Sequence, residues 1–464
     1  MKFTIQMSSF SDIIFIILTG LYYIGGFLLS LWWIWIPWFL FILARDLWHK
    51  YTRDKFTREI EWTLLEVIPP RDIQKTPRAM EQFFASLHGL QGGANWRDRN
   101  IAGLLPDYFS LEIISQEGEI HFLIRTQTKY RDLVESNIYA QYPEAEITQA
   151  NDYVDSFPTD VPNQDYDLWG AEFVLIKEDA YPIRTYLDFE KDVSMDEQRI
   201  DPIASLLEAM SKMGHGEQIW IQTLIRPVND DWQKEGEKLR DKLMDRKVEK
   251  EQGVLVKEAI AWKDAGKENL DQLIAGQASG VNGVEERKED APFLWGKSKA
   301  EQEIIHAIET NIAKIGYEAI IRYVYVARKD VYRPSVIKKW IYGAYKQFNT
   351  QNLNGFKRND KVEPGIDYKI ELKVTRDIYR KKKVFTDYRK RKFIQSSPII
   401  KYLKPFIFER LPIFNWFFMK SKPFVFNIEE LATIYHFPVL TVKSPLTPKV
   451  EFRKGEPPIG LLIE

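Results

Sequence analysis

The chain of 464 residues contains no cysteine. That excludes disulfides, thiolate zinc sites and thiol nucleophiles at once. Histidine is scarce as well: His49, His88, His121, His215, His306 and His436 are the whole set, and no two lie three to five residues apart. The usual helical spacing of a zinc pair is therefore absent. No phosphate loop is present either. The nearest approach, Gly296 to Ser298, has Ala291 where the leading glycine would stand, and Gly266–Lys267 is preceded by Ala261 and followed by Glu268. Without that glycine-built nest the backbone offers no cradle for phosphate oxygens. There is no Gly-x-Ser-x-Gly elbow, and "DYVDSFPTDVPNQDYD" lacks the glycine and terminal glutamate of a calcium loop. The sequence argues for no catalytic centre, no cofactor and no metal.

Charge of one sign is also missing from long stretches. From Ile13 to Ala44 there are 32 consecutive uncharged positions. As one straight helix they would extend about 48 Å, well beyond a hydrocarbon core of about 30 Å. Gly25, Gly26 and Pro37 are the weak points, so Ile13–Tyr23 is expected at the interface and the spanning helix at about Gly26 to Leu47. Trp32, Trp33, Trp35 and Trp38 suit an interfacial belt. The run is about twice the apolar region of a cleaved signal, which predicts an uncleaved anchor; a two-helix hairpin is the rival. Arg45, Lys50, Arg53, Lys55 and Arg58 follow, against Lys2 before. The positive-inside rule then places a large C-terminal body in the cytoplasm of a bacterial cell, on a single-pass helix in the inner membrane.

The overall charge of −1 hides an asymmetry. Glu144–Asp201 carries 16 acids and 4 bases, whereas Arg376–Arg410 carries 12 bases and 3 acids. These segments either face each other or face different partners.

Between them, periodicity sets out a folded body. "IEWTLLEVIPP" reads as a strand, and "TPRAMEQFFASLHGL" as a helix opened by Thr76 and Pro77. "YFSLEIIS" and "EIHFLIRT" flank a hairpin signal, and the helix "YRDLVESNIYAQY" and strand "AEITQA" complete βαββαβ. The order recurs in "AEFVLIK", "DPIASLLEAMSKM", "EQIWIQTLIRP", "AIIRYVYVARK" and "RPSVIKKWIYGAYKQFN", with a closing strand expected near Tyr368 to Val374. This predicts an α+β fold: a transmembrane helix, then two ferredoxin-like units at 60–155 and 165–375. A solvated helical insertion is expected at about 229–314, after an anchor and basic neck at 1–59.

Beyond Arg376 a basic aromatic segment (376–422) precedes a strand, a helix and a proline-rich arm (423–464). Lys381, Lys382, Lys383, Arg389, Lys390, Arg391 and Lys392, with Trp416, are candidates for contact with phosphate or anionic lipid. A basic solvated helix followed by core aromatics explains the same residues. In the last segment, Asn427 is a helix cap with Glu429 and Glu430 in the first turn.

Several stretches together resemble a known family. "EWTLLEVIPPRDIQKTPRAMEQFFASLHG", "RDLVESNIYAQYPEAEI" followed by Asp152 and Tyr153, and "NIEELATIYHFP" followed by "GEPP" are similar to the membrane-anchored N-terminal half of bacterial type IV secretion and conjugation ATPases of the TraG and HerA-like kind. They also resemble stand-alone relatives classed as a domain of unknown function. In the ATPases the terminal block leads into the motor domain; here it leads to Glu464. The resemblance implies a non-catalytic subunit that scaffolds a separate motor ATPase or other apparatus subunits, with the bilayer and further copies of the chain as partners. It assigns Glu429, Glu430, Tyr435, His436 and Phe437 to partner contact, the last three as exposed anchors. The alternative is a membrane-tethered nucleic-acid-binding protein that uses residues 376–410.

Overall fold

The computed structural model describes residues 32–70, 75–90, 104–191, 201–244, 298–365, 373–391 and 422–438, with residues 19, 26, 30, 92 and 393. The chain divides into two compact units. One comprises Met1–Glu61, Gly92–Pro106 and Ile394–Lys420, and the other comprises Trp62–Gln91, Asp107–Phe393 and Ser421–Glu464.

In the first unit the principal described element is helix α1, Trp32–Glu59, which carries Pro37 within it. It joins the second half of the expected span to the basic neck without a break. Among the described residues no helix is long and apolar enough to cross a membrane. Ile13–Tyr23 and the start of the expected span fall outside them, apart from isolated positions.

The second unit is built on one antiparallel sheet. Its elements in chain order are β1 (Trp62–Ile68), α2 (Arg78–His88), β2 (Phe109–Gln116), β3 (Glu119–Gln127), α3 (Arg131–Gln141), β4 (Glu146–Gln149), β5 (Tyr166–Leu175), α4 (Tyr186–Lys191), α5 (Ala204–Ser211) and β6 (Glu217–Pro227). There follow α6 (Asp231–Leu243), α7 (Lys299–Ile312), β7 (Gly316–Arg328), α8 (Pro334–Lys346), β8 (Phe356–Arg358), α9 (Lys373–Lys390), β9 (Phe424–Asn427) and α10 (Ile428–Ile434). Strands run in the order β4-β1-β3-β2-β6-β7-β5-β8, and β9 pairs with β7. The first passage runs β-α-β-β-α-β, the second runs β5-α4-α5-β6-α6-α7-β7-α8-β8, and β2 and β6 zip the two together edge to edge.

Side-chain alternation assigns the faces. Leu111, Ile113, Ile221, Ile321, Tyr323 and Phe173 point to a face covered by α2, α3, α5 and α8, whose Phe83, Phe84, Ile138, Met210 and Ile341 belong to the same core. Helix α9 covers the opposite face, where Phe385 stacks on Trp220 with ring centroids 6.1 Å apart. Strand β7 is buried along nearly its whole length, as befits a strand enclosed on both faces. Gly170 on β5 admits α9: a β-carbon there would lie 2.7 Å from Val384 Cγ1 and 2.9 Å from the Tyr323 carbonyl oxygen.

Two expectations change. The strand that pairs with β5 is β8, earlier than Tyr368–Val374; residues 366–372 lie outside the described residues, and from 373 the chain is helical. Gly355 and the half-polar "FKR" gave no alternating run to read. The inserted segment begins and ends as α6 and α7, which bury Trp232, Ile308 and Ile312 together; residues 245–297 lie outside the described residues.

Candidate functional site

Four polar residues stand in one row across the α9 face of the sheet. Glu112 on β2 is opposite Gln222 on β6, Gln222 is opposite Arg322 on β7, and Arg322 is opposite Glu172 on β5. All four are buried. Burying charge is costly unless it is paired and hydrogen-bonded. Arg322 Nε accordingly donates to Glu172 Oε1 at 2.7 Å, and Gln222 Nε2 donates to Glu112 Oε1 at 3.2 Å.

The last partner comes from the end of α9. Arg391 has φ +46°, the left-handed conformation common just past a helix end. This turns its side chain onto the sheet. Nε and Nη2 donate to the two oxygens of Glu112 at 2.6 and 2.9 Å, while Nη1 and Nη2 donate to Asp152 at 2.5 and 3.0 Å. Ser110 and Tyr153 also donate to Glu112, and the hydroxyls of Tyr153 and Tyr388 are 2.7 Å apart. Burial pushes the Glu112 carboxyl up, but the Arg391 charge and the hydrogen bonds outweigh it, leaving Glu112 below its ordinary value. Burial likewise holds both tyrosine hydroxyls well above theirs. Arg391, Glu112, Asp152, Tyr153 and Tyr388 hydrogen-bond one another, while Oε1 of Gln222 is buried without a partner, so most of the cluster acts chemically as a keyed joint between the two strand sets.

The acidic and basic stretches therefore face each other. Lys381 pairs with Asp167 at 2.7 Å, Arg389 with Asp155 at 3.4 Å and Arg391 with Asp152. Lys383 pairs with Asp387 on its own helix. Of the cations expected to contact phosphate or lipid, Lys382 and Lys390 are exposed. Lys392 and Trp416 lie outside the described residues.

The terminal block occupies a second seat. Strand β5 pairs with β7 only from Ile321 onward, and β9 takes the vacated lane beside Gly316–Ala319. Asn427 then caps α10 in a reciprocal box with Glu430. Glu430 reaches further, accepting the Ile183 amide at 2.9 Å, and burial pushes its carboxyl up to about 8 against the pull of those backbone donors. Thr433 Oγ1 accepts the Tyr186 amide, and Asp179 accepts the Val425 amide, with burial raising Asp179 to about 6. Glu429 pairs with Lys314.

The expectation of exposed anchors is corrected here. His436 Nε2 lies 3.0 Å from Asp201, Tyr435 donates to the Leu123 carbonyl, and Phe437 packs edge-on against Phe122 and Tyr142. Tyr435, His436 and Phe437 are each 1% exposed, and Glu429 and Glu430 are buried with them. An apolar aromatic block beside a capped helix packs where the body itself offers an apolar groove. These residues touch both passages of the chain and clamp them together.

Helix α1 is the reverse case. Trp32, Trp33, Trp38, Phe41, Leu47, Trp48 and Tyr51 are all more than half exposed. Sequence reasoning singled out the belt but missed the polar row, although "SLEII", "AEFVL", "IQTLI" and "IIRYV" place Glu112, Glu172, Gln222 and Arg322 inside otherwise largely apolar strands. Among the described residues, no group of three or more His, Asp or Glu is arranged to hold a metal ion.

Residues 47–395 match a family described as a domain of unknown function (DUF8128), a span that runs from within α1 to just past α9. No curated protein matches the chain.

Proposed function

We propose that this chain, which belongs to the DUF8128 family, is a membrane-tethered, non-catalytic scaffold of a type IV secretion-like or conjugative DNA-transfer apparatus. Its body would hold a motor ATPase, carried on this or another polypeptide, at a fixed point on the cytoplasmic face of the inner membrane. Each passage of the body is read as a ferredoxin-like unit. What supports that is the strand order β4-β1-β3-β2 and β8-β5-β7-β6, fourth-first-third-second in both, with two helices on one face.

The observation that carries the functional reading is the seating of residues 424–437. The block that resembles the lead-in to a motor is built into the core across both passages, so Phe437 holds a defined place in the body. A motor attached or docked there would be held rigidly to the body. The exposed tryptophan-rich face of α1 supports the tether. A nucleic-acid guide built on residues 376–410 draws less support, because Lys381, Lys383, Arg389 and Arg391 are paired with Asp167, Asp387, Asp155 and Asp152.

The test is crosslinking of the full-length protein in its native membrane, followed by purification and mass identification. Recovery of a hexamer-forming ATPase, lost from a variant lacking residues 439–464 that still unfolds at the wild-type denaturant midpoint, is the expected result. Recovery of lipid alone, or of nucleic acid that washes off with salt, would sink the reading.

A further inference from the structure

The open face of α1 is graded along its length. Phe41, Ala44, Trp48, Tyr51, Lys55 and Arg58 follow at intervals of three or four residues, and all six are exposed. That spacing puts them on one side of a helix. Ile42, His49, Arg53 and Phe56 are half-buried on the other side. Along the open face the chemistry passes from apolar, through the Trp48–Tyr51 pair with ring centroids 6.3 Å apart, to cationic. Tyr51 to Lys55 is about 6 Å of helix rise. One headgroup layer is about 5–8 Å thick.

We infer that this stripe seats on an anionic phospholipid leaflet, with Trp48 and Tyr51 at the boundary between acyl chains and headgroups and Lys55 and Arg58 at the phosphates. The inference rests on the tether proposed above and adds to it a depth, a contacting face and a lipid charge. Aromatic rings with one apolar and one polar end favour that boundary. Among the described side chains of α1, three exposed cations, Arg45, Lys55 and Arg58, outnumber one exposed acid, Glu59, so the complementary surface is negative. Arg45 lies inward of Trp48, and its long apolar stem lets the guanidinium reach the same phosphates. The boundary thus falls within the turn that follows Leu47, where sequence alone placed it.

Because the chain has no cysteine, single-cysteine variants report position cleanly. Ala44→Cys, Leu47→Cys and Glu59→Cys leave the aromatic and basic residues in place. Each full-length variant, carrying a fluorophore, is reconstituted into vesicles of phosphatidylcholine alone or mixed with phosphatidylglycerol, with nitroxide on the acyl chain or on the headgroup. Acyl-chain nitroxide should quench at 44, both nitroxides at 47, and headgroup nitroxide alone at 59. Nitroxide borne on phosphatidylglycerol should be favoured over the phosphatidylcholine equivalent by roughly 5-fold per basic residue. Lys55→Gln and Arg58→Gln should each remove one such factor.

Equal quenching by the two lipids would overturn the anionic assignment. Absence of quenching at 44 and 47, in protein that resists alkaline carbonate, would overturn the stripe and leave the tether standing. The same absence with efficient crosslinking between two copies at 47 would assign the face to a second copy of the chain. Release of the protein by carbonate would overturn the tether itself, and the stripe with it.

Discussion

Arg391 and Glu112 lie 279 residues apart in the chain and share a two-pronged ion pair, 2.6 and 2.9 Å long, inside the body. The guanidinium is 1% exposed and the carboxylate fully buried. Such a pair stabilises little over a well-packed apolar pair, but breaking it leaves a bare charge in the interior.

Arg391→Ala is therefore expected to destabilise the protein by about 3–5 kcal/mol, because Glu112 and Asp152 both lose their partner. Glu112→Met combined with Arg391→Met should recover the part of that loss due to the bare Glu112 charge, while Asp152 stays without its partner. Urea denaturation of the detergent-solubilised full chain, followed by tryptophan fluorescence, measures both. Equal loss in the single and double variants would show that the pair is not coupled.

Gly170→Val should cost about 1–3 kcal/mol by driving a side chain into Val384 and the Tyr323 carbonyl. The loss is local to α9. Limited trypsin digestion should then cut first at Lys382 or Lys390, and the helix should protect both sites in the wild-type body. A variant with unchanged cutting would mean that α9 does not depend on that close approach.

Phe437→Ala should lower stability by about 3–5 kcal/mol, since its ring fills the space between Phe122 and Tyr142. If Phe437 were instead an exposed anchor, the variant would keep the wild-type denaturation midpoint.

Stability should fall as pH rises above the carboxylate range. Glu430, raised to about 8, and Asp179, raised to about 6, keep protons in the folded state that the unfolded chain has released. Their contribution is whole below about pH 4.5, shrinks as pH climbs and is gone above about 8. Burial sets this direction, and the Asp179 charge pushes Glu430 the same way while Lys314 opposes it. The unfolding free energy should fall by roughly 5 kcal/mol in total between about pH 5 and 9, and Glu430→Gln should flatten most of the slope. A wild-type curve that is already flat refutes the assignment.

The sequence exposed the α+β character through particular signals. Thr76–Pro77 opens α2, and Gln116–Glu117–Gly118 turns β2 into β3, with Glu117 and Gly118 at positive φ. Local chemistry decides those places. Strand β8 escaped because three residues have no period, and it is held by pairing with β5 rather than by its own preference. The charged segments could be read as opposed, but whether toward each other depended on α9 folding back over the sheet. Residues 435–437 were misjudged for a related reason. An exposed anchor and a core plug share one composition, and only the groove formed by Phe122, Tyr142 and Asp201 separates them.

The lane that β9 fills has a consequence for the order in which the molecule is made. Until Phe424–Asn427 emerges, the first residues of β7 present bare amides and carbonyls on that side, and Ile183 waits for Glu430, 247 residues later. At about 5–20 residues per second, that wait lasts roughly 12–50 s on the ribosome. A nascent chain interrupted in this interval carries an open strand edge and an unfilled apolar groove, so synthesis through residue 437 doubles as the step that certifies a finished body.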